Sequence, residues 1–327
     1  MRKELVYIIL VNWNRWRDTI ECLNSLKKLT YSNFKIVVID NGSTDKSVVK
    51  LKKYSSLIKL ILLGKNYGFS YANNIGIRWA IKNNAKYVLL LNNDTIVSPD
   101  LIDILVKSMH KYPSAGALGV KVYYYDQPDV LWFAGSFIDR YGEFPTHIGL
   151  GEVDKGQYDK ICDIPFINGS AFFAKAEAIK KIGLLDERYF YMYEDADWTS
   201  RFLKAKYRCL YVPQAKIWHK VHSATGGKTP CWWYFDARSR LLWNKSYNPQ
   251  RSFIRIVSPC LTSIIEDIRI SILTKDPKYW LECWKKAFIN WLARLIGIKD
   301  YLCGYYAECP KIVKNLCWLP LVFLLPQ

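Results

Sequence analysis

No CxxC pair occurs in the 327 residues, and the nine cysteines, at positions 22, 162, 209, 231, 260, 283, 303, 309 and 317, are odd in number. That excludes a zinc ribbon or a disulfide framework and leaves reduced cytosolic thiols as the expectation. No GxGxxG follows the first apolar segment, so a dinucleotide-binding crossover has no support, and the absence of GxxxxGK[ST] excludes a P-loop NTPase. With the strand-like Leu5 to Val11 so near the start, no signal peptide is expected. The most apolar stretch, Leu316 to Pro326, is broken by Pro320 and falls short of the ~20 residues needed to span a bilayer. These absences predict a cytoplasmic protein whose C-terminal end can grip the inner face of a membrane.

Positive charge and aromatic rings are plentiful. Against 47 Lys and Arg stand 29 Asp and Glu, a formal charge of +18, which calls for an anionic partner. Nucleic acid, anionic lipid and phosphorylated small molecules all qualify, but no RRM, OB or helix-turn-helix signature appears, so nucleic acid is not expected. The 13 Trp and 23 Tyr suit membrane interfaces and sugar-stacking surfaces equally.

The first 125 residues alternate between two periodicities. "LVYIILV" (5–11), "FKIVVID" (34–40), "IKLILL" (58–63) and "YVLLL" (87–91) read as buried strands. Helices are expected over Thr19 to Leu29, after Ser43 as a cap, and over Tyr71 to Lys82. Strand–helix alternation predicts an α/β fold with a mostly parallel sheet covered by helices on both faces. In such a sheet ligands bind at the carboxyl ends of the strands. Those ends here carry Asn12-Trp13-Asn14, Asp40-Asn41-Gly42 and Asn92-Asn93-Asp94, and the third strand leads into "GKNYGFSYANNIG" (64–76). One capping Asp is ordinary turn chemistry; four polar clusters converging on one sheet edge predict a site. A strand-end Asp94 beside the Asn92 amide can hold a hard divalent cation, with His219 completing the sphere.

Farther along, a strand is expected around Gly169–Ala174, a helix through Ile182, another over Ala196 to Lys206, and a strand ending near Val212. "YEDADW" places Glu194, Asp195 and Asp197 at the start of a helix. Acidic residues there complement the helix dipole. Three carboxylates within four positions also repel one another, so at least one pKa should rise, which suits a general base. From residue 221 onward 15 Lys and Arg face 7 Asp and Glu. Between Tyr279 and Lys299, Trp280, Leu281, Trp284, Phe288, Trp291, Leu292 and Leu295 keep helical spacing, with Lys285, Lys286 and Arg294 expected largely elsewhere on the helix. Such a helix packs on the catalytic domain, forms a homodimer contact, or lies on an anionic membrane surface.

In order along the chain, "VNWN", "VIDNGSTD", "NYGFSYANNIGI", "LLLNNDT", "FINGSAFFAKAEAI", "LLDERYFYMYEDADW" and "IWHKVHSATGG" resemble the inverting family 2 glycosyltransferases of GT-A fold. Within them the chain is similar to the rhamnosyltransferase-like bacterial enzymes of surface-polysaccharide and cell-wall assembly. The resemblance spans residues 4 to 245. It implies a catalytic domain over residues 1–245 and a basic, Trp-rich helical extension over 246–327. It implies base and ribose contacts from Asn12 and Asp40, and a nucleotide-diphosphate pocket lined by Asn66, Gly68 and Asn74. Asn92 stands at the first position of the family's DxD, and Gly169 lies in the donor-binding "FINGS" segment. Mn2+ or Mg2+ would be held by Asp94 and His219, and Asp195, flanked by Glu194, would be the catalytic base. Asn92 in place of aspartate removes one charge from the metal site. The missing QxxRW favours addition of a single sugar from a nucleotide-sugar donor such as dTDP-rhamnose or a UDP-sugar to a saccharide acceptor, lipid-linked by the same analogy. A sugar nucleotidyltransferase is the rival reading, but "VNWNRWRDT" lacks its glycine-rich basic loop. A non-catalytic nucleotide-sugar or nucleic-acid-binding protein would have little use for Asp94 and Asp195 together.

Overall fold

The computed structural model describes residues 3–138, 145–221, 229–250 and 277–317. They pack as two compact units: one runs to Glu187 and resumes over Glu194–Val221, and the other joins Arg188–Tyr193 to the chain beyond residue 221.

The first unit is built on a ten-stranded sheet. Strand β1 (Val6–Asn12) lies between β2 (Phe34–Asp40) and β4 (Tyr87–Leu91), parallel to both, and β3 (Ile58–Leu62) extends β2 in parallel. On the far side of β4, β11 (Ala171–Lys175) enters antiparallel, followed by β6 (Ala115–Tyr124) and β12 (Arg208–His219), which are parallel to each other. Short strands β5 (Thr95–Val97), β7 (Leu131–Phe133) and β10 (Cys162–Asp163) pair with β12, β6 and β12. A hairpin of β8 (Ser136–Ile138) and β9 (Pro145–His147) forms a separate small sheet. Every residue of β4 and all but one of β1 are buried, as expected of strands covered on both faces. Chain order runs outward from β1 through β2 to β3 and then crosses back to β4. The switch point is therefore the β1/β4 boundary, where a ligand crevice is expected.

Helices α1 (Trp16–Leu26), α2 (Ser47–Lys52), α3 (Phe69–Lys82) and α4 (Leu101–Lys111) follow β1, β2, β3 and β5. Next come α5 (Ala176–Ile182), directly after β11, and α6 (Glu194–Lys204). Two expectations need correction. Ser43 caps nothing: α2 begins at Ser47, and the Ser43 side chain turns back to Asp40. The last strand does not stop near Val212 but resumes after a bulge and continues to His219, pairing with β6 and β5.

In the second unit α7 (Pro230–Tyr247), capped by the Thr229 hydroxyl on the Trp232 N–H, packs along α8 (Pro277–Leu302) and touches α9 (Lys311–Cys317). Tyr234 and Phe235 of α7 share a core with Ala293, Cys309 and Val313. By packing, α7 thus belongs with the later helices, although the sequence reading placed residues 230–245 with the sheet. The contact is close because α8 offers Gly297, where a Cβ would stand 2.4 Å from the Tyr234 carbonyl oxygen. Arg294, expected on the polar face, is buried, its guanidinium 3.7 Å from the centre of the Trp233 ring. Phe288, Leu295 and Leu302 point outward instead. The side chains of Trp280, Leu281 and Trp284 and the apolar end beyond residue 317 lie outside the described residues. No helix among the described residues is long and apolar enough to cross a membrane.

Candidate active site

The carboxyl ends of β1 and β2 are tied into one polar network. Asn12 is fully buried; its amide donates to Asp40 Oδ2 at 2.8 Å and to Ser43 Oγ at 3.1 Å. Its carbonyl oxygen takes the Thr19 hydroxyl at 2.7 Å, and Thr19 Oγ1 accepts the Asn93 amide at 2.8 Å. One α1 hydroxyl thus links the end of β1 to the turn after β4. Asp40 also accepts the Ser43 N–H and hydroxyl, at 3.0 and 2.6 Å. Asn14, in the left-handed region at φ 54°, accepts the Thr44 N–H at 2.7 Å, fixing the same turn. Trp13 is left 46% exposed beside the network.

The loop after β3 is held by Asn41, whose partners lie too far along the chain to be legible in the sequence. Its amide donates to Asn66 Oδ1 at 3.0 Å and the Gly68 carbonyl at 3.2 Å, and its own oxygen takes the Tyr67 N–H at 3.0 Å. Gly68, at φ 93°, opens α3. Asn66 and Gly68 therefore sit beside the β2 end. Asn74 does not join them. Both its amide hydrogens go to the Leu185 carbonyl and Glu187, each at 2.9 Å, and its oxygen takes the Leu185 N–H at 3.0 Å. It fastens the 185–187 segment to α3 and has no donor to spare for a diphosphate.

Beyond β4, the Asp94 carboxylate lies 3.1 Å from His219 Nε2, and the Asn92 amide 3.4 Å from the same nitrogen. The bulged, extended β12 causes this meeting: His219 pairs with Thr95, and the Lys220 N–H bonds the Asp94 carbonyl at 3.0 Å. Asn92 Oδ1 and His219 Nδ1 are buried without a hydrogen-bond partner. Among the described residues no group of three or more His, Cys, Asp and Glu converges as a cation cage. What is present is a carboxylate, an imidazole and an orphaned amide oxygen. Such a partial set fits a divalent cation that takes its other ligands from a diphosphate and water.

The acidic cluster lies against the same sheet edge. The Asn92 N–H donates to the Ser170 carbonyl at 2.9 Å, and the neighbouring Gly169 N–H donates to Asp195 Oδ2 at 2.8 Å. Gly169 keeps this approach close, since a Cβ would stand 3.0 Å from that oxygen and push the carboxylate back by a few tenths of an ångström. Its N–H thus serves the carboxylate and is not free for a donor sugar. The Ala196 N–H holds Asp195 Oδ1 at 2.8 Å. Burial raises the Asp195 carboxyl to about 6, against the lowering effect of these N–H bonds. Glu194 is pushed well above the usual carboxylate range, first by burial and then by the charges of Asp195 and Asp197. Its side chain faces a small cavity walled by Phe69, Leu90, Phe172, Leu185 and Trp198, where Oε2 has no partner. Asp197 is ion-paired with Arg201 at 2.7 Å. Of the three clustered carboxylates, Asp195 alone combines a raised pKa with two ordered N–H supports.

A sheet ordered 3-2-1-4 in its parallel half, with polar strand ends and a strand-end Asp–His pair, is a doubly wound arrangement with its site at the switch point, and the solved structures it superposes on give it the GT-A fold. Solved structures with that fold resemble the chain. A mannosyltransferase from Pyrobaculum calidifontis, in complex with GDP-Man and Mn2+, superposes with a TM-score of 0.57 at 14% identity over 91% of this chain and 87% of its own. GalNAc-T7 with UDP, GalNAc and Mn2+ gives 0.56 at 17% identity over 67% of this chain and 44% of its own. The chain belongs to glycosyl transferase family 2, whose model matches residues 7–183, and it is a glycosyltransferase of the rhamnosyltransferase-like kind. The N-acetylglucosaminyl-diphospho-decaprenol L-rhamnosyltransferase of Mycobacterium tuberculosis is 27% identical over 252 residues, 68% of this chain and 78% of that one. The dTDP-rhamnosyl transferase RfbF of Shigella flexneri is 24% identical over 237 residues, 66% and 69% of the two chains.

Proposed function

We propose that this glycosyltransferase moves one sugar, with inversion, from a nucleoside-diphosphate donor to a hydroxyl of a saccharide acceptor. The donor is dTDP-rhamnose or a UDP-sugar, and the acceptor is lipid-linked, as the names of the rhamnosyl-transferring relatives suggest. The observation that carries the reading is the pair of backbone bonds through Gly169 and Ser170, which hold Asp195 beside the β4 end where Asp94 and His219 meet. A base and a leaving-group site thus share one sheet edge, as a single displacement requires.

Each residue then has a task. Asn12, Asp40 and Ser43 offer a rigid polar surface to base and ribose, with Trp13 as a flat exposed neighbour. Asn66 and Gly68 border the phosphates. Asp94, His219 and the Asn92 oxygen would hold Mn2+ or Mg2+, and a bound cation supplies positive charge where the departing diphosphate gathers its negative charge. Asp195 accepts the acceptor's proton. Above pH 6 it is ionised yet basic enough to do so. Glu194, in its apolar recess, resists ionisation, which lessens the negative charge beside Asp195.

The second unit supports a membrane-surface reading. Phe288, Leu295 and Leu302 recur every seventh residue along the outward side of α8, and Lys286 and Lys299 are exposed on the same helix. An outward apolar row on a basic unit suits the inner face of the plasma membrane, where lipid-linked acceptors are met. A homodimer contact through the same row is the competing use.

Incubation with UDP-, GDP- and dTDP-sugars, with Mn2+ or Mg2+, tests the reading through nucleoside diphosphate release. One donor should be turned over with a divalent cation and not in chelator. Failure of every donor in both conditions would defeat it.

A further inference from the structure

A row of aromatic side chains runs across the first unit from the His219 end of the site to the Asp195 end. Tyr124 pairs with His219 in the parallel β6–β12 ladder. Their neighbours Tyr123 and Trp218 stack on one face, with centroids 5.7 Å apart, so Tyr124 and His219 share the other. Trp132, at the middle of β7, meets Tyr124 edge-on at 5.4 Å and 75°. His147, at the end of β9, meets Trp132 edge-on at 5.4 Å and 89°. The His147 Nδ1 faces the Trp132 carbonyl at 3.3 Å, which can only accept, so the proton resides on Nδ1. Nε2 is then left to accept the Asn168 amide at 3.5 Å. Asn168 Oδ1 takes the Ser170 N–H at 2.9 Å, and the intervening Gly169 supports Asp195.

Resting on the reading of Asp195 as base and of Asp94 and His219 as the leaving-group end, we propose that Tyr124, Trp132, His147 and Asn168 form the subsite for the acceptor's pyranose ring. In a single displacement the acceptor hydroxyl lies between base and leaving group, the interval this row spans. The row also has the right chemistry. Trp132 and Tyr124 are half-buried rings, and an indole or phenol face suits the C–H face of a pyranose. The Asn168 amide and the Tyr124 hydroxyl supply the few polar groups that orient a ligand in such a site. Burial holds His147 below its ordinary pKa, so the row carries no cation to attract a phosphate. An uncharged sugar is the ligand that matches.

The test uses the full chain and methyl glycosides of N-acetylglucosamine, galactose and rhamnose as probes, followed by saturation-transfer NMR with UDP or dTDP and Mn2+ present. At least one glycoside should receive saturation from the wild type. Trp132→Ala should reduce that signal at least fivefold, and Trp132→Phe, which keeps a ring, should retain more than half. Nucleoside diphosphate affinity by calorimetry and acceptor-free donor hydrolysis should stay within twofold of wild type in both variants. If Trp132→Ala does not fold, Tyr124→Leu carries the same comparison. The assignment is overturned if no glycoside is saturated by the wild type, or if the signal survives loss of the ring. It is also overturned if donor hydrolysis falls with the signal, since the row would then hold the donor's sugar. A wild type that binds glycosides but turns over no donor would defeat the transfer reading while leaving the sugar subsite standing.

Discussion

Asp195 is stabilised for chemistry at the expense of the fold. Raising its pKa from an ordinary 3.8 to about 6 means that the folded protein resists its ionisation. The destabilisation is absent when both states are protonated and is complete above pH 6, where it reaches up to about 3 kcal/mol. Asp195→Asn gives up one of the two N–H bonds at every pH, so its melting temperature relative to the wild type should be higher at pH 8 than at pH 4, with the difference falling as pH drops through 6. The same variant should keep donor binding and lose on the order of 10²–10⁴ in transfer rate, because an amide cannot take the proton. The wild-type kcat should climb on an acid limb near pH 6. A flat profile from pH 5 to 8, or full activity in Asp195→Asn, would move the base to another residue. Asp94→Ala tests the other end of the site: cation-dependent nucleoside diphosphate affinity should fall at least tenfold in a folded protein.

Among the elements, α1 and the β2 turn set the geometry. Thr19 gives its hydroxyl to Asn12 and accepts from Asn93, so Thr19→Val leaves the buried Asn12 and the half-buried Asn93 amides each short of a partner. A loss of about 1–3 kcal/mol in urea unfolding is expected, with weaker nucleotide affinity, since Thr19 stands on the buried side of α1 with Cys22, Leu23 and Leu26. Gly42 has φ 76°, and a Cβ there would stand 2.2 Å from the Lys65 carbonyl carbon. Gly42→Ala should displace the 65–68 loop and cost stability of the order of 1–3 kcal/mol. The strands and their polar ends were legible in the sequence because apolar runs and Asn/Asp clusters are local signals. Thr19, Ser43 and Asn41 were not assigned to the site because their partners lie 7, 31 and 25 residues away, and a hydroxyl near a helix start reads equally well as a cap. Asn74 was misplaced for the same reason: a buried amide looks alike whether it holds a ligand or a loop.

At the scale of the whole molecule, periodicity located the apolar row of α8 but could not orient it. Small and polar residues, Ala287, Asn290, Ala293, Arg294 and Gly297, occupy the buried side, because a close approach to α7 excludes large side chains and Trp233 accommodates a guanidinium. Replacing Phe288 and Leu295 together by Glu should abolish low-salt binding to anionic liposomes and leave donor hydrolysis unchanged. A wild type that ignores such liposomes, or a variant that changes oligomeric state, would turn the row into a protein contact. The central claim is that one sheet edge holds both a leaving-group site and a base. It is tested most directly by nucleoside diphosphate release from dTDP-, UDP- and GDP-sugars with Mn2+, comparing wild type, Asp94→Ala and Asp195→Asn. Turnover of one donor is expected from the wild type, none from Asp94→Ala, and intact donor binding with lost acceptor-stimulated turnover from Asp195→Asn. Acceptor-stimulated turnover that survives both substitutions would contradict it.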